Sequence, residues 1–191
     1  MTGSHTDRQM TLTPYTGNPC ILPSKPTLRD GVLSLIRLMR DPAFLDLRIF
    51  PLLEQAELTR DWYVAHRQDS PDGSCSLQVF VWPPGTGTKI HDHSSWGVFC
   101  CAVGSLFEER YERLDGESKP NHAHLRMLRQ TTWKEGYGVT TVLPYDGGIH
   151  RVGNLTDEPA ISVHLYGPRM GGIDGRDYDP TRDYVCDRRE D

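Results

Sequence analysis

The stretch GTGTKIHDHSSWGVFCCAVG, residues 85–104, contains two histidines one residue apart, His91 and His93. Residues at positions i and i+2 of a β-strand point to the same face, so both imidazoles can bind one metal ion while Asp92 points the other way. A third ligand must come from another part of the chain. The best candidate is His150, which follows an apolar strand and a turn in GVTTVLPYDGGIHRVGN.

Composition and charge limit the possible architectures and partners. The 191 residues are enough for one substantial core and too few for two. A formal net charge of -5 argues against binding to duplex nucleic acid, which usually needs a basic patch. The 14 prolines and 18 glycines interrupt short apolar runs, which favours many short strands over a helical bundle. We therefore predict one strand-rich domain with a small-molecule site.

The sequence gives no signal for a membrane or for secretion. No apolar run reaches the length of about 18 residues that a spanning helix needs, and the first residues lack the layout of a signal peptide. The five cysteines are odd in number and include no CxxC pair, so we predict reduced thiols. These features predict a cytoplasmic protein without membrane contact, in which at least one of the adjacent Cys100 and Cys101 is a core residue.

Helical patterns precede the strands. Residues 1–26 are rich in proline and have no sustained period, which predicts an extended arm. Residues 27–60 are predicted to be helical, with Thr27 as the first N-cap and apolar positions at helical spacing through Met39. Two further helical pieces are predicted, from Asp41-Pro42 to Arg48 and from Pro51 to Leu58.

Residues 61–168 are predicted to form a small double-sheet barrel. The strands are predicted to begin after a turn, DSPDGS, at 69–74. The strands at 97–103 and 106–114, joined at Gly104-Ser105 and followed by a polar loop at 114–124, indicate a hairpin. The predicted strands cover 77–82, 90–96, 97–103, 106–114, 125–132, 139–143, 149–154 and 160–166. Residues 169–191 are predicted to contain one short strand at 183–186 and a solvated charged end.

Two spaced motifs resemble those of a known superfamily. Gly85, five residues, His91-x-His93 and Gly104, followed by Gly138, Pro144, Gly147, His150 and Asn154, resemble the two consecutive cupin motifs. Gly97 stands where many cupins have a glutamate. This change, together with Trp82, HDH, HRVGN and SVHLYG, resembles the cysteine dioxygenase family of thiol dioxygenases. The resemblance covers roughly residues 62–168 and implies an all-β cupin jelly-roll barrel with N-terminal α-helices.

The resemblance implies a metal centre and a reaction. His91, His93 and His150 would bind Fe(2+), although three imidazoles also accept Ni(2+) or another divalent transition metal. The implied reaction is the oxidation by O2 of the sulfur of a small thiol, such as L-cysteine or a derivative. That thiol and O2 are the predicted partners. The oligomeric state is left open by the sequence. His122 and His124 repeat the HxH spacing in a polar loop and are not predicted as ligands.

Three further residues match a relay that the family uses beside its metal. Ser162, His164 and Tyr166 lie at i, i+2 and i+4 of one predicted strand, so their side chains share a face and can form a hydrogen-bond chain. In some members the tyrosine is cross-linked to a cysteine near the position of Gly97. The glycine therefore predicts an unmodified Tyr166.

The substrate contacts depart from the family pattern. Cysteine-oxidising members hold the substrate carboxylate with an arginine two residues after a tyrosine like Tyr63, and this chain has Ala65 there. A buried carboxylate needs a cationic partner, so we predict that Arg67 or Arg169 takes this role, with His66 as a weaker candidate. The predicted substrate-contact residues are Tyr63, Arg67, Trp96 and Arg169.

Two alternative functions stay open at this point. An atypical cupin oxygenase could oxidatively rearrange or decarboxylate cysteine or another small substrate, because an anchor from another side of the pocket would turn the substrate. A cupin could also bind a metal or ligand without catalysis. That second alternative leaves the register of Ser162, His164 and Tyr166 without an evident purpose.

Overall fold

The computed structural model of the protein describes residues 25–56, 59–117, 119–136 and 138–188. The predicted arm over 1–26 therefore lies outside the described residues except at its last two positions, and Leu58 lies outside them too. The helices are α1 (Leu28–Leu38), α2 (Pro42–Phe44) and α3 (Leu53–Ala56), with a π-helical turn at Leu45–Ile49 and 3-10 turns at Phe50–Leu52 and Tyr145–Gly148. The strands are β1 (Tyr63–Asp69), β2 (Ser76–Trp82), β3 (Ile90–His91), β4 (Gly97–Val103), β5 (Ser105–Arg113), β6 (Leu125–Lys134), β7 (Thr140–Val142), β8 (His150–Gly153), β9 (Ala160–Tyr166), β10 (Gly175–Asp179) and β11 (Tyr184–Arg188).

The segment before the strands is helical, as predicted. Thr27 caps α1, because its side chain accepts a hydrogen bond from the N–H of Asp30 while the Asp30 carboxylate accepts one from the N–H of Thr27 at 2.9 Å. Asp41 caps α2. The buried face of α1, which includes Leu35 and Leu38, packs against β4 and β9. Within the described residues, no helix has the length and apolar character needed to cross a membrane.

Two antiparallel sheets form the body of the protein. One has the strand order β1-β2-β9-β4-β7 and the other β11-β10-β3-β8-β5-β6. They enclose a shared core in which Trp82 and Phe99 of the first sheet meet Leu106 and Trp133 of the second. The structure confirms the predicted all-β barrel with N-terminal helices.

The five-stranded sheet separates two cores. Side chains alternate between its faces, so Val79 and Val81 of β2 pack with the helices while Trp82 faces the barrel interior. The same alternation sends Cys100 and Cys101 into opposite cores, where burial raises the pKa of each thiol to about 12. Both cysteines are packing residues, one in each core.

Three strands differ from the sequence prediction. β1 begins at Tyr63, ahead of the turn at 69–74, and its half-exposed residues carry a bulge between Val64 and His66 that breaks the alternating pattern. β10 was not predicted, because the charged residues of Gly175–Asp179 are typical of a solvated tail. The HDH strand is shorter than expected and contains only Ile90–His91.

Gly104 takes the chain from one sheet to the other. β4 pairs with β7 and β9, whereas β5 pairs with β6 across the polar loop, so the hairpin predicted at Gly104-Ser105 is wrong and the hairpin that forms is β5–β6. The φ angle of Gly104 is +77°, and a Cβ atom there would lie 2.9 Å from the carbonyl oxygen of Pro159. A side chain at this crossing would be strained and crowded.

Candidate metal centre

Three histidines converge in the barrel interior. His91 ends β3 and pairs directly with His150 at the start of β8, and His93 follows two residues after His91. One nitrogen from each of the three lies within 4.8 Å of the others, and His93 Nε2 is 3.1 Å from His150 Nε2. Two nitrogens bound side by side to one ion at 2.0–2.1 Å would be about 3.0 Å apart. The spacing of His93 and His150 therefore fits two ligands of one divalent transition metal, and His91 offers the third nitrogen beside them.

Hydrogen bonds orient two of these rings. His91 Nδ1–H donates to the carbonyl oxygen of Lys89 at 3.0 Å, and His150 Nδ1–H donates to Glu108 Oε1 at 2.9 Å. These bonds leave each Nε2 with a lone pair directed at the centre. Burial lowers the pKa of His91, His93 and His150 below the ordinary value; nearby positive charge adds to this effect at His91 and His93, whereas Glu108 opposes it at His150. The rings are neutral at neutral pH, which is the form that binds a metal.

Glu108 is a functional residue that sequence reasoning missed. It is 1% exposed and accepts hydrogen bonds from His150 and, at 3.1 Å, from Trp133 Nε1. Arg110 Nε lies 2.7 Å from the same carboxylate. Burial alone would raise the pKa of Glu108, but His150 and Arg110 outweigh it, so the pKa stays below its ordinary value. Glu108 is thus an anion behind His150, where it raises the basicity of that ligand.

Gly97 excludes the carboxylate ligand that many cupins place at this position. A Cβ atom on Gly97 would lie 2.3 Å from the ring of Phe99 and 3.0 Å from Val142. Gly97 also lies directly opposite Tyr166 across β4 and β9. Since glycine has no side chain, it can neither bind the metal nor cross-link Tyr166.

A hydrogen-bond chain follows β9 beside the metal site. Trp82 Nε1–H donates to Ser162 Oγ at 2.8 Å, Ser162 Oγ lies 2.7 Å from His164 Nε2, and His164 Nδ1 lies 3.1 Å from the Tyr166 hydroxyl. Burial lowers the pKa of His164 well below its ordinary value, so its ring has one donor and one acceptor nitrogen. With the His164 proton on Nδ1, the Ser162 hydroxyl accepts from Trp82 and donates to His164 Nε2, and His164 Nδ1–H donates to the Tyr166 oxygen.

In this tautomer of His164, the chain leaves the Tyr166 proton available to the cavity. The oxygen of Tyr166 accepts from His164, so its own O–H can donate elsewhere. Burial raises the pKa of Tyr166, which keeps it a neutral phenol. Its ring centroid is 5.0 Å from that of His93. The relay therefore presents one hydrogen-bond donor beside the three histidines.

One cavity of about 830 Å³ joins these groups and opens to the surface. Its lining includes the three histidines, His164 and Tyr166, and also Arg67 and Arg169. Of the predicted substrate contacts, Tyr63 and Trp96 lie elsewhere: both pack against the core beneath the helices. Trp96 fills the space above Gly31 and Gly167, where added Cβ atoms would meet its ring at 2.7 Å and 2.0 Å.

A β-bulge decides which residues of β1 face the cavity. Ala65 packs with the helical core, whereas Val64 and Arg67 line the cavity. Strict alternation would put Arg67 on the face of Ala65, but the bulge between Val64 and His66 reverses the faces. The family pattern predicts an arginine at position 65. In this strand the arginine that faces the cavity is Arg67, two positions further along.

The two predicted arginine anchors lie at the cavity mouth beside carboxylates. Arg67 Nε is 3.1 Å from Asp69 Oδ1, and an Arg169 nitrogen is 3.4 Å from Asp174 Oδ1. Arg67 pairs across β1 and β2 with Gln78, which pairs in turn with His164. Two strand spacings put the backbone of Arg67 about 10 Å from that of His164. A long arginine side chain can reach into the space between them.

The second HxH pair contacts two separate carboxylates. His122 Nδ1 lies 3.5 Å from Asp115 Oδ2, and His124 Nδ1 lies 3.0 Å from Asp183 Oδ1. Among the described residues, the group His91, His93 and His150 is the one that brings three possible metal ligands together.

The chain is similar in sequence to one protein family and to curated proteins of that family. A family model described as cysteine dioxygenase type I matches residues 45–179. The cysteine dioxygenase type 1 of Rattus norvegicus is 29% identical over 108 residues, which are 56% of this chain and 51% of that protein. The Danio rerio protein of the same name is 26% identical over 159 residues, 74% of this chain and 75% of that protein. The match thus spans about half the length of the rat relative.

Solved structures with a similar fold have low sequence identity. Oxalate oxidase in complex with glycolate is 17% identical, covers 58% of this chain and 53% of its own, and has a TM-score of 0.44. A cupin 2 conserved barrel domain protein from Salinispora arenicola is 18% identical, covers 56% and 73%, and has a TM-score of 0.38.

Proposed function

Because the chain belongs to the cysteine dioxygenase type I family, we propose that it is a metal-dependent dioxygenase that oxidises the sulfur of a small thiol with O2. L-Cysteine or a close derivative is the proposed substrate. The observation that carries this proposal is the alignment of three metal-competent histidines and a directed hydrogen-bond relay in one cavity. The proposal includes the cytoplasmic location predicted from the sequence.

Fe(2+) is the proposed metal, held through Nε2 of His91, His93 and His150. When bound, it would supply redox chemistry with O2 and favour the thiolate form of the substrate. Three neutral imidazoles add no charge, so the thiolate would be the one strong anionic donor near the ion. Ni(2+) and other divalent transition metals suit the same ligands and serve as comparisons.

The protein would hold the rest of the substrate at the cavity mouth. A guanidinium binds a carboxylate through two parallel hydrogen bonds, and Arg67 or Arg169 can offer such a pair. Asp69, which lines the cavity beside Arg67, would accept hydrogen bonds from a substrate ammonium group. An α-amino acid with a thiol side chain carries both groups, which favours cysteine over a thiol that lacks either one.

Tyr166 would act on the docked substrates as a hydrogen-bond donor. Its O–H is the last proton of the relay and lies beside His93, while His164 and Ser162 fix the position of the phenol oxygen. A donor at this place stabilises negative charge that develops on the reacting oxygen or sulfur atoms. A barrel that only binds a metal or ligand needs no such aligned donor.

The position of the arginines also favours a second candidate. Ala65 faces the helical core, so a carboxylate anchored by Arg67 or Arg169 would enter from another direction than in members with the usual clamp. A substrate turned in this way presents different atoms to oxygen. The second candidate is therefore an oxygenase that rearranges or decarboxylates cysteine.

Oxygen uptake by the iron-loaded full chain tests both candidates. The panel is L-cysteine, cysteamine, which lacks the carboxylate, and 3-mercaptopropionate, which lacks the amine. Stoichiometric sulfinate, identified by mass, supports the thiol dioxygenase. A decarboxylated or rearranged product supports the second candidate, and no uptake with any thiol rejects both.

A further inference from the structure

Asp92, between the two ligands of the HDH motif, is fully buried and held by the C-terminal hairpin. It is 0% exposed. Its carboxylate accepts hydrogen bonds from Arg176 Nε at 2.8 Å, from the backbone N–H of Arg176 at 2.7 Å and from the Tyr178 hydroxyl at 2.7 Å. The Asp92 carbonyl oxygen accepts another from Arg188 at 3.0 Å. The segment that carries His91 and His93 is thus fixed by β10 and β11.

The same two side chains reach the segment that leads to the third histidine. Arg176 lies 2.6 Å from Asp146 Oδ1, and the Tyr178 hydroxyl lies 3.5 Å from the same atom. Asp146 belongs to the 3-10 turn that ends just before His150. One guanidinium therefore joins two segments whose carboxylates are 84 and 30 residues from it in sequence.

We infer that Arg176, assisted by Tyr178, is a positioning residue that holds the two ligand-bearing segments at the separation that a metal requires. A planar guanidinium can bind two carboxylates at once in fixed directions, which a lysine cannot do. Its side chain is 12% exposed, so water screens the contacts weakly. The inference rests on the metal centre of the proposed function and makes the hairpin β10–β11 part of that centre.

The test measures Co(2+) affinity of the full-length apoprotein by competition with a chelator, together with thermal unfolding of the same apoprotein. Arg176→Gln is expected to weaken Co(2+) binding on the order of 10–100-fold, as loss of outer partners of a metal site does. The visible spectrum of the cobalt-loaded variant is expected to change, because the ligand geometry relaxes. The matched control is Arg151→Gln, which removes an arginine directly beside His150.

Arg151 suits this purpose because its side chain points outward, 3.7 Å from Glu109 and half exposed. Its variant should bind Co(2+) within about twofold of the wild type, with an unchanged spectrum. If Arg176→Gln fails to fold, Tyr178→Phe removes one hydrogen bond to Asp92 without leaving a buried charge, and it should weaken binding in the same direction.

Three outcomes are distinguishable. Wild-type affinity and spectrum in a folded Arg176→Gln or Tyr178→Phe protein would overturn this inference and leave the metal centre intact. An equal loss in Arg151→Gln would overturn it as well, since the effect would not depend on Asp92. A wild-type protein that binds no Co(2+) at all would instead reject the metal centre on which the proposed function depends.

Discussion

Replacing Glu108 with glutamine should destabilise the protein and weaken its metal centre together. The carboxylate accepts a hydrogen bond from His150 on Oε1 and one from Trp133 on Oε2, and it forms an ion pair with Arg110 through Oε1. Glutamine has one acceptor oxygen. If that oxygen serves His150, its NH2 group meets the Trp133 N–H, donor against donor, and the guanidinium of Arg110 loses its buried anion.

The magnitude follows from these contacts. Breaking a buried ion pair by removing one partner costs about 3–5 kcal/mol, and an unsatisfied buried N–H costs about 1–3 kcal/mol when it cannot relax. These terms overlap, so we expect about 3–5 kcal/mol less free energy of unfolding. With a urea dependence of about 2 kcal/mol per molar, the unfolding midpoint falls by about 1.5–2.5 M. Loss of the charge behind His150 should also weaken metal binding on the order of 10–100-fold.

Urea unfolding of the apoprotein, followed by circular dichroism, and chelator competition give the two readouts. The control is Glu109→Gln, because the neighbouring carboxylate points away from the centre, toward Arg151 and the Tyr111 hydroxyl. It should cost below about 1 kcal/mol and leave metal affinity unchanged. A Glu108→Gln protein with the midpoint and metal affinity of the wild type would refute the role given to this carboxylate.

Three other predictions concern separate parts of the site. His91→Ala should lose most of its bound metal but unfold cooperatively near the wild-type temperature, since the cores are formed by other residues. The control His124→Ala, outside the centre, should keep the wild-type metal content and unfolding temperature. Unfolding of His91→Ala at room temperature would contradict the prediction. Tyr166→Phe should keep metal content and KM but lower kcat on the order of 10²-fold or more at saturating thiol, and an unchanged kcat would reduce the relay to a packing role. Arg67→Gln should raise KM for L-cysteine by about tenfold or more, the loss of one charged hydrogen-bonded pair, and leave KM for cysteamine unchanged; equal effects on both thiols would exclude carboxylate binding by Arg67, and the same comparison with Arg169→Gln identifies which arginine acts.

Local sequence patterns predicted the parts of the fold that depend on short-range order. Thr27 as N-cap and the apolar positions at helical spacing marked the first helix, and period-two alternation gave β4 and β9 at their observed limits. The two histidine motifs also predicted the convergence that the structure shows. Each of these signals is contained in one stretch of chain, where spacing alone sets direction.

The missed features depend on contacts between distant stretches. Arg176 and Tyr178 occupy a charged segment that looks solvated, and only the fold brings them to Asp92, 84 and 86 residues away. Arg188, from the end predicted to be solvated, likewise turns back to the Asp92 carbonyl. In the sequence, Glu108 is one of several polar residues of β5. Its role follows only from its contacts with His150, Trp133 and Arg110. The bulge in β1 hid that strand because it interrupts the period on which strand prediction relies.

The most direct test of the proposed function is the fate of isotopically labelled dioxygen. The iron-loaded protein is supplied with L-cysteine and labelled O2 in ordinary water, and the product is analysed by mass. The proposed reaction predicts a sulfinate in which both added oxygen atoms carry the label, formed in proportion to oxygen consumed. A sulfinate without label, or a labelled sulfinate formed equally well by His150→Ala, would contradict it.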